Sequence, residues 1–132
     1  MPNLKRYQTG KHLEAFVLLL LYQEPDHGGH LLSRLSAMLP KEWTVDSGRI
    51  YRLLRELEED SCLTSSWVTE DNGAPTRQYQ ITPEGKARLD AWAQEMEVKQ
   101  ASLATFLTKY HEITALSSGH DAATVQAHRE QS

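Results

Sequence analysis

Asp46–Asp60, DSGRIYRLLRELEED, is the stretch on which the fold turns. Wound at about 100° per residue, it gathers Ile50, Leu53, Leu54 and Leu57 along one stripe, the pattern of a buried helix face. Opposite that stripe stand Gly48, Arg52 and Arg55, flanked by Arg49 and Tyr51. A helix that enters a DNA groove needs a backbone that can approach closely, with cations and hydroxyls for phosphates and base edges. Asp46 or Ser47 can accept from the first free amides and so fix the helix start. There is a competing account. Arg52 with Glu56 and Arg55 with Glu59 have i, i+4 spacing, and a salt-bridged, solvated surface needs no DNA.

A length of 132 residues suits one domain, or a small domain with an extra element. The first residues lack a long apolar run, and Phe16 to Tyr22 is too short to span a bilayer. The reading is a cytoplasmic chain without a signal peptide or membrane span. A lone cysteine, Cys62, cannot form an internal disulfide and reads as a small buried thiol. The net charge of -4 argues against binding nucleic acid by bulk charge. Up to Glu56, however, Lys and Arg outnumber Asp and Glu, whereas the remainder is acidic. Any DNA-facing surface is therefore local and N-terminal.

Thr9 to Gln23 places Leu13, Phe16, Val17, Leu20 and Leu21 on one helical face, with Thr9 as the candidate cap. Leu18 and Leu19 need cover too, which suggests a second packed surface against another chain. Pro25 and Asp26 break this helix, and His27, Gly28 and Gly29 read as a loose connection. His30 to Leu39 carries Leu31, Leu32, Leu35, Met38 and Leu39 and ends at Pro40; Trp43 beyond it reads as a lid on the core. Two short helices joined to a third with a basic outer face form a helix-turn-helix. Leu63 to Thr69 and Gln78 to Ile81 are β-prone runs around a turn holding Asn72, Gly73 and Pro75, hence a hairpin. Arg77, Thr76 and Asn72 lie on or near its tip, within reach of a minor groove or phosphates. A plain solvent turn accounts for Asn72 equally well.

Thr82-Pro83-Glu84 supplies a capping hydroxyl, a first-turn proline and an acid, so a helix starts there. Leu89, Trp92, Met96, Leu103, Phe106, Tyr110 and Ile113 then recur at alternating spacings of three and four, with Lys99 in the one polar slot. So small a domain cannot bury that seam, and a second copy of the helix in a two-fold dimer is the simplest partner. The expected protein is mainly α with a small β-hairpin: a winged helix-turn-helix domain over 1–82, a C-terminal dimerisation helix over 83–116 and a flexible tail over 117–132.

The order of elements, together with LEAFVLLLL followed by Pro25, His27 and Gly28, then DSGRIYRLLRELEED, TSSW, Gly73-x-Pro75 and RQYQITPEGKARLDAW, resembles the PadR family of bacterial transcriptional regulators in its short form. The resemblance covers roughly residues 10 to 110. It implies a homodimeric winged-helix repressor on a palindromic operator in double-stranded DNA, with Ser47, Gly48, Arg49, Tyr51, Arg52 and Arg55 contacting the groove and phosphates and Arg77 contacting from the wing. It also implies an effector, a small apolar or aromatic compound near the dimer interface, which marks Trp92 and Met96; ordinary interface packing explains both residues as well. The chain departs from the family pattern at Gly29 and His30, where an aromatic and an acid are usual, and this would loosen the start of the second helix. Ser61 stands where a left-handed glycine usually ends the third helix. Both departures bear on DNA affinity.

An enzyme reading has little support. Asp26, His27 and His30 lack the further ligands a metal site needs, and Cys62 has no nucleophile motif around it. No metal or cofactor is expected. The stronger rival is a winged-helix protein-interaction adaptor without specific DNA binding, which the acidic pI and the Arg–Glu spacings permit. The two differ in whether Arg52 and Arg55 are tied up by Glu56 and Glu59.

Overall fold

The structure, a computed structural model, describes the backbone of residues 4–69 and 73–121 and the side chains of residues 12–69 and 73–117. Its elements run α1 (Leu4–Gln23), β1 (Asp26–His27), α2 (Gly28–Met38), α3 (Ser47–Glu59), β2 (Leu63–Val68), β3 (Thr76–Ile81) and α4 (Pro83–Asp121). They divide into two compact units between Ala93 and Gln94.

In the first unit, α1, α2 and α3 meet around Leu13, Val17, Leu18, Leu21, Leu31, Leu35, Ile50, Leu54 and Leu57, all at most 2% exposed. The stripe predicted on α3 is thus buried, with Leu53 packed at its margin. Trp43 packs against this core as well. Leu18 finds its cover inside the chain, whereas Leu19 remains exposed. The first helix starts at Leu4, so Thr9 lies within it and does not cap it.

The largest departure from the sequence reading lies between α1 and α2. Asp26–His27 is a strand, not a loose connection, and it pairs antiparallel with β3 through Asp26–Tyr79 and His27–Gln78. The sheet order is therefore β1-β3-β2. Asp26 is buried, and its carboxylate accepts from the His27 amide at 2.8 Å and from Arg34 Nη1 at 2.8 Å, with His30 Nδ1 also 2.8 Å away. Arg34 in turn donates to the Leu20 carbonyl and to Gln23 Oε1, so one buried ion pair ties the end of α1 to α2. A buried carboxylate requires such partners. His30 is part of this cluster, and His27 Nδ1 accepts from the His30 amide as the helix cap. At Gly29 and His30, where loosening was expected, the two histidines and Asp26 make contacts across the first turn of α2.

β2 and β3 pair in register from Leu63–Ile81 to Val68–Thr76, the expected hairpin. Between α3 and β2, Ser61 adopts φ 66°. The Cys62 amide donates to the Leu57 carbonyl and the Ser61 amide to the Glu58 carbonyl, which is the paired bonding of a Schellman ending. Leu57 and Cys62 are both buried beneath it, the apolar contact that goes with this motif. Thr82 secures the turn from outside: its hydroxyl donates to the Ser61 carbonyl at 2.7 Å and its amide to the Cys62 carbonyl at 3.0 Å. A Cβ on Gly85 would collide with that same Cys62 carbonyl, so α4 can start here only with glycine at its third position. The left-handed serine costs on the order of 1 kcal/mol. Ser61→Gly is expected to stabilise the protein by about that amount, seen as a rise in Tm; an unchanged or lowered Tm would contradict the assignment.

α4 begins as its sequence predicts, with Thr82 Oγ1 accepting from the Gly85 amide at 3.0 Å. It runs for 39 residues, so residues 117–121 are helical where a flexible tail was expected. In the second unit, Lys99 pairs with Glu95, and Phe106 stacks on Tyr110 at 6.2 Å.

Candidate nucleic-acid interface

The outward face of α3 is built by exclusion. Once Ile50, Leu54 and Leu57 are committed to the core, Ser47, Gly48, Arg49, Tyr51, Arg52 and Arg55 are left exposed on the opposite side. Asp46 precedes them in extended conformation; its carbonyl accepts from the Arg49 and Ile50 amides, but its side chain makes no cap bond. Of the two caps expected, Asp46 or Ser47, the Asp46 side-chain bond is not made, and its carboxylate stays beside the first turn.

The i, i+4 pairs that a plain surface helix would show are not formed. Among the described residues, neither Arg52 nor Arg55 has a carboxylate within ion-pair distance, and Glu56 and Glu59 are likewise unpaired. The remaining acid of that helix end, Glu58, turns toward the hairpin: it accepts from Ser65 Oγ at 2.8 Å and lies 3.8 Å from Arg77 Nη2.

Gly48 is not required by the fold. A Cβ there would meet only the Asp46 carboxylate, at 3.5 and 4.0 Å, and its backbone is ordinary helix. Glycine in a helix costs up to about 1 kcal/mol relative to alanine. A residue that weakens its own helix while leaving open space in front of it suits close approach by something outside the chain.

Tyr51 has a double position. Its ring occupies the space a Gly28 side chain would fill, with its hydroxyl toward Gly29, so it fixes α3 against the start of α2 while remaining 44% exposed. No local pattern marks Gly28 for this packing role.

Arg77 is the second residue of its strand, close to the hairpin turn. It lies within β3; its Nε donates to Ser65 Oγ at 2.9 Å, and its guanidinium sits 5.4 Å from the centroid of Trp67. Tyr79, behind it, is buried, and desolvation raises its phenol pKa despite the opposing charge of Arg77. Asn72 lies outside the described residues.

The seam on α4 divides. Leu89 is 8% exposed and belongs to the chain's own core, and Trp92 packs against that core, donating Nε1–H to Glu14 Oε2 at 2.8 Å and meeting His12 edge-on. Glu14 also accepts from Arg88 Nε at 2.8 Å, and Arg88 Nη1 reaches Asp60 Oδ2 and Cys62 Sγ. The hydrogen bond to Cys62 is the largest cause of a raised Arg88 pKa, so this guanidinium stays charged. Leu89 and Trp92, expected at a dimer interface, are thus claimed within the subunit, because the first turns of α4 close the winged-helix core. Met96 is half-buried, whereas Leu103, Phe106 and Tyr110 are at least 50% exposed, as are Leu107 and Ile113.

Among the described residues, no group of three or more His, Cys, Asp or Glu is placed to hold a metal ion. No helix among them is long and apolar enough to cross a membrane.

Three helices, a short strand after the first, and a hairpin following a basic third helix define a winged helix-turn-helix protein. The PadR-like family of transcriptional regulators matches residues 17–91, and the chain belongs to that family. It is a transcriptional regulator by membership. Solved structures agree. A conserved protein described as a potential transcriptional factor is 30% identical, with a TM-score of 0.69 over 80% of this chain and 92% of that one. A PadR-like transcription factor from Bacteroides fragilis is 27% identical, with a TM-score of 0.57 over 83% and 99% of the two chains. A PadR-like regulator from Bacillus cereus, at 22% identity, shares the fold, with a TM-score of 0.68 over 76% and 96%. No curated protein matches the chain.

Proposed function

We propose that this chain is a cytoplasmic, homodimeric repressor that reads a palindromic operator in double-stranded DNA, with α3 of each copy in a major groove. The observation that carries the reading is the pair of exposed guanidiniums, Arg52 and Arg55, without a carboxylate partner among the described residues and beside an open Gly48. Ser47, Arg49 and Tyr51 complete the face toward groove and phosphates. Arg77 reaches the backbone from the wing, and Asn72 is proposed to do so from its tip. A net charge of -4 supports confining the contact to this face, since bulk attraction is unavailable.

The acidic balance also favours one second reading, a protein-binding adaptor. Titrating a duplex from the chain's own promoter region against salt separates the two. Release of counterions from several phosphates makes affinity fall steeply with salt, at nearly one unit of log–log slope per phosphate, roughly. Salt-indifferent binding, or none at any salt, favours the adaptor.

Gly48→Ala is expected to separate stability from binding. Thermal stability should hold or rise by up to about 1 kcal/mol, while affinity for the promoter duplex falls because the added methyl occupies the space of approach. Unchanged affinity would remove Gly48 from the interface.

Two copies position the reading helices. The exposed apolar face of α4, Leu103, Phe106 and Tyr110 with Met96 beside it, is proposed to pack on the same face of a second copy. Leu89 and Trp92 contribute indirectly, by joining α4 to the winged helix. Release by a small apolar or aromatic compound that meets Trp92 or Met96 completes the proposal; indole fluorescence, read while planar phenols are titrated into the dimer, tests it.

A further inference from the structure

We infer that Trp67 is itself a DNA-contacting residue: its indole is a plate against which deoxyribose packs at the base of the wing, with Arg77 beside it for the neighbouring phosphate. The inference rests on the DNA-binding reading above and adds to it a residue and a contact chemistry.

Trp67 shares its strand face with Leu63 and Ser65. Leu63 is fully buried, but by Trp67 the hairpin has run past the core and the ring is 65% exposed. Exposed apolar side chains scattered singly need no explanation. This one is not single, because it is built into an array that leads from α3. Arg77, its cross-strand partner, lies over the ring at 5.4 Å; Arg77 Nε is held by Ser65 Oγ, and Ser65 Oγ is held by Glu58 of α3. Glu58 is three residues, one helical turn, beyond Arg55. These contacts lead from the indole back to α3, the helix that carries Arg52 and Arg55.

The chemistry of the array fits one partner. Arg77 gives Nε to Ser65 and also hydrogen-bonds the Tyr79 phenol, yet it stays partly exposed toward an anion, and among the described residues its carboxylate neighbour is Glu58, at 3.8 Å. Among the described residues the indole N–H has no acceptor. An apolar plate next to a cation and a free donor matches the alternation of sugar and phosphate along a duplex strand. An acidic peptide would use the cation and leave the plate uncovered.

The test uses the full chain and the promoter-region duplex. Hydroxyl-radical labelling read by mass spectrometry should show Trp67 oxidation falling several-fold in the complex, while Trp43, against the core, stays as it was. Trp67→Ala should weaken binding roughly tenfold with little change in salt slope, since an apolar contact releases no counterion. Arg77→Ala should lower that slope by about one phosphate. Trp67→Phe keeps a plate and should retain most of the affinity. Equal oxidation of Trp67 in the free and bound protein, or wild-type affinity in Trp67→Ala, overturns the inference while DNA binding stands. If the wild-type chain binds the duplex at no salt concentration, or indifferently to salt, the DNA reading fails and takes this inference with it.

Discussion

Replacing Leu103 and Phe106 together by lysine is expected to leave a folded but monomeric protein with little affinity for a palindromic duplex. Both side chains are 62% exposed in the single chain and belong to the second unit, so they are not part of the winged-helix core. A two-fold dimer buries each of them twice. Four large apolar side chains at about 1.5 kcal/mol each, the low end for such burial, amount to roughly 6 kcal/mol, or about four decades in the dimer dissociation constant. Sedimentation equilibrium checks this, with thermal melting as a control for the fold. A variant that still sediments as a dimer would place the interface elsewhere. Deleting α4 from Leu89 onward would be a poorer experiment, because Leu89 and Trp92 are part of the subunit's own core.

The double substitution Arg52→Ala and Arg55→Ala carries the next largest effect. Base or phosphate contacts made by arginine are worth about 1–3 kcal/mol each, so the pair should cost between roughly 2 and 6 kcal/mol of operator affinity. The folded state should hardly respond, since among the described residues neither guanidinium holds a carboxylate. The contrast with Arg88 is instructive: that arginine joins α1, the turn after α3 and α4, and its loss would act on the fold. Fluorescence anisotropy with the promoter duplex reads the first effect and a melting curve the second. Equal losses in both measurements would mean that Arg52 and Arg55 are structural.

Much of this architecture is legible in the sequence, and the reason lies in periodicity. The stripe of α3, the cap at Thr82 and the paired runs of the hairpin are local patterns, and each appears where its residues predict. Asp26 was not legible. In Pro25-Asp26-His27-Gly28-Gly29 every residue is turn punctuation, and nothing local reveals that the carboxylate is buried on an arginine eight residues later while its strand pairs with Tyr79. The fit of Tyr51 over Gly28 is hidden for the same reason, being a contact between two helices. The seam of α4 is correct as a period but silent about partners. Heptad spacing marks Leu89 and Phe106 alike, and only three-dimensional packing assigns the first to its own subunit and leaves the second uncovered. At the interface, the spacing of Arg52 and Arg55 to Glu56 and Glu59 allowed ion pairs that are not formed. Rotamer choice decides that, and it has no signature in a string of letters.

A hydroxyl-radical footprint of the promoter-region duplex bound by the full-length chain probes the central claim most directly. Two arginine-bearing helices set by a two-fold dimer should protect two patches related by symmetry, their centres one helical turn or about 34 Å apart. A single protected patch, or a uniformly cut duplex at saturating protein, would contradict it.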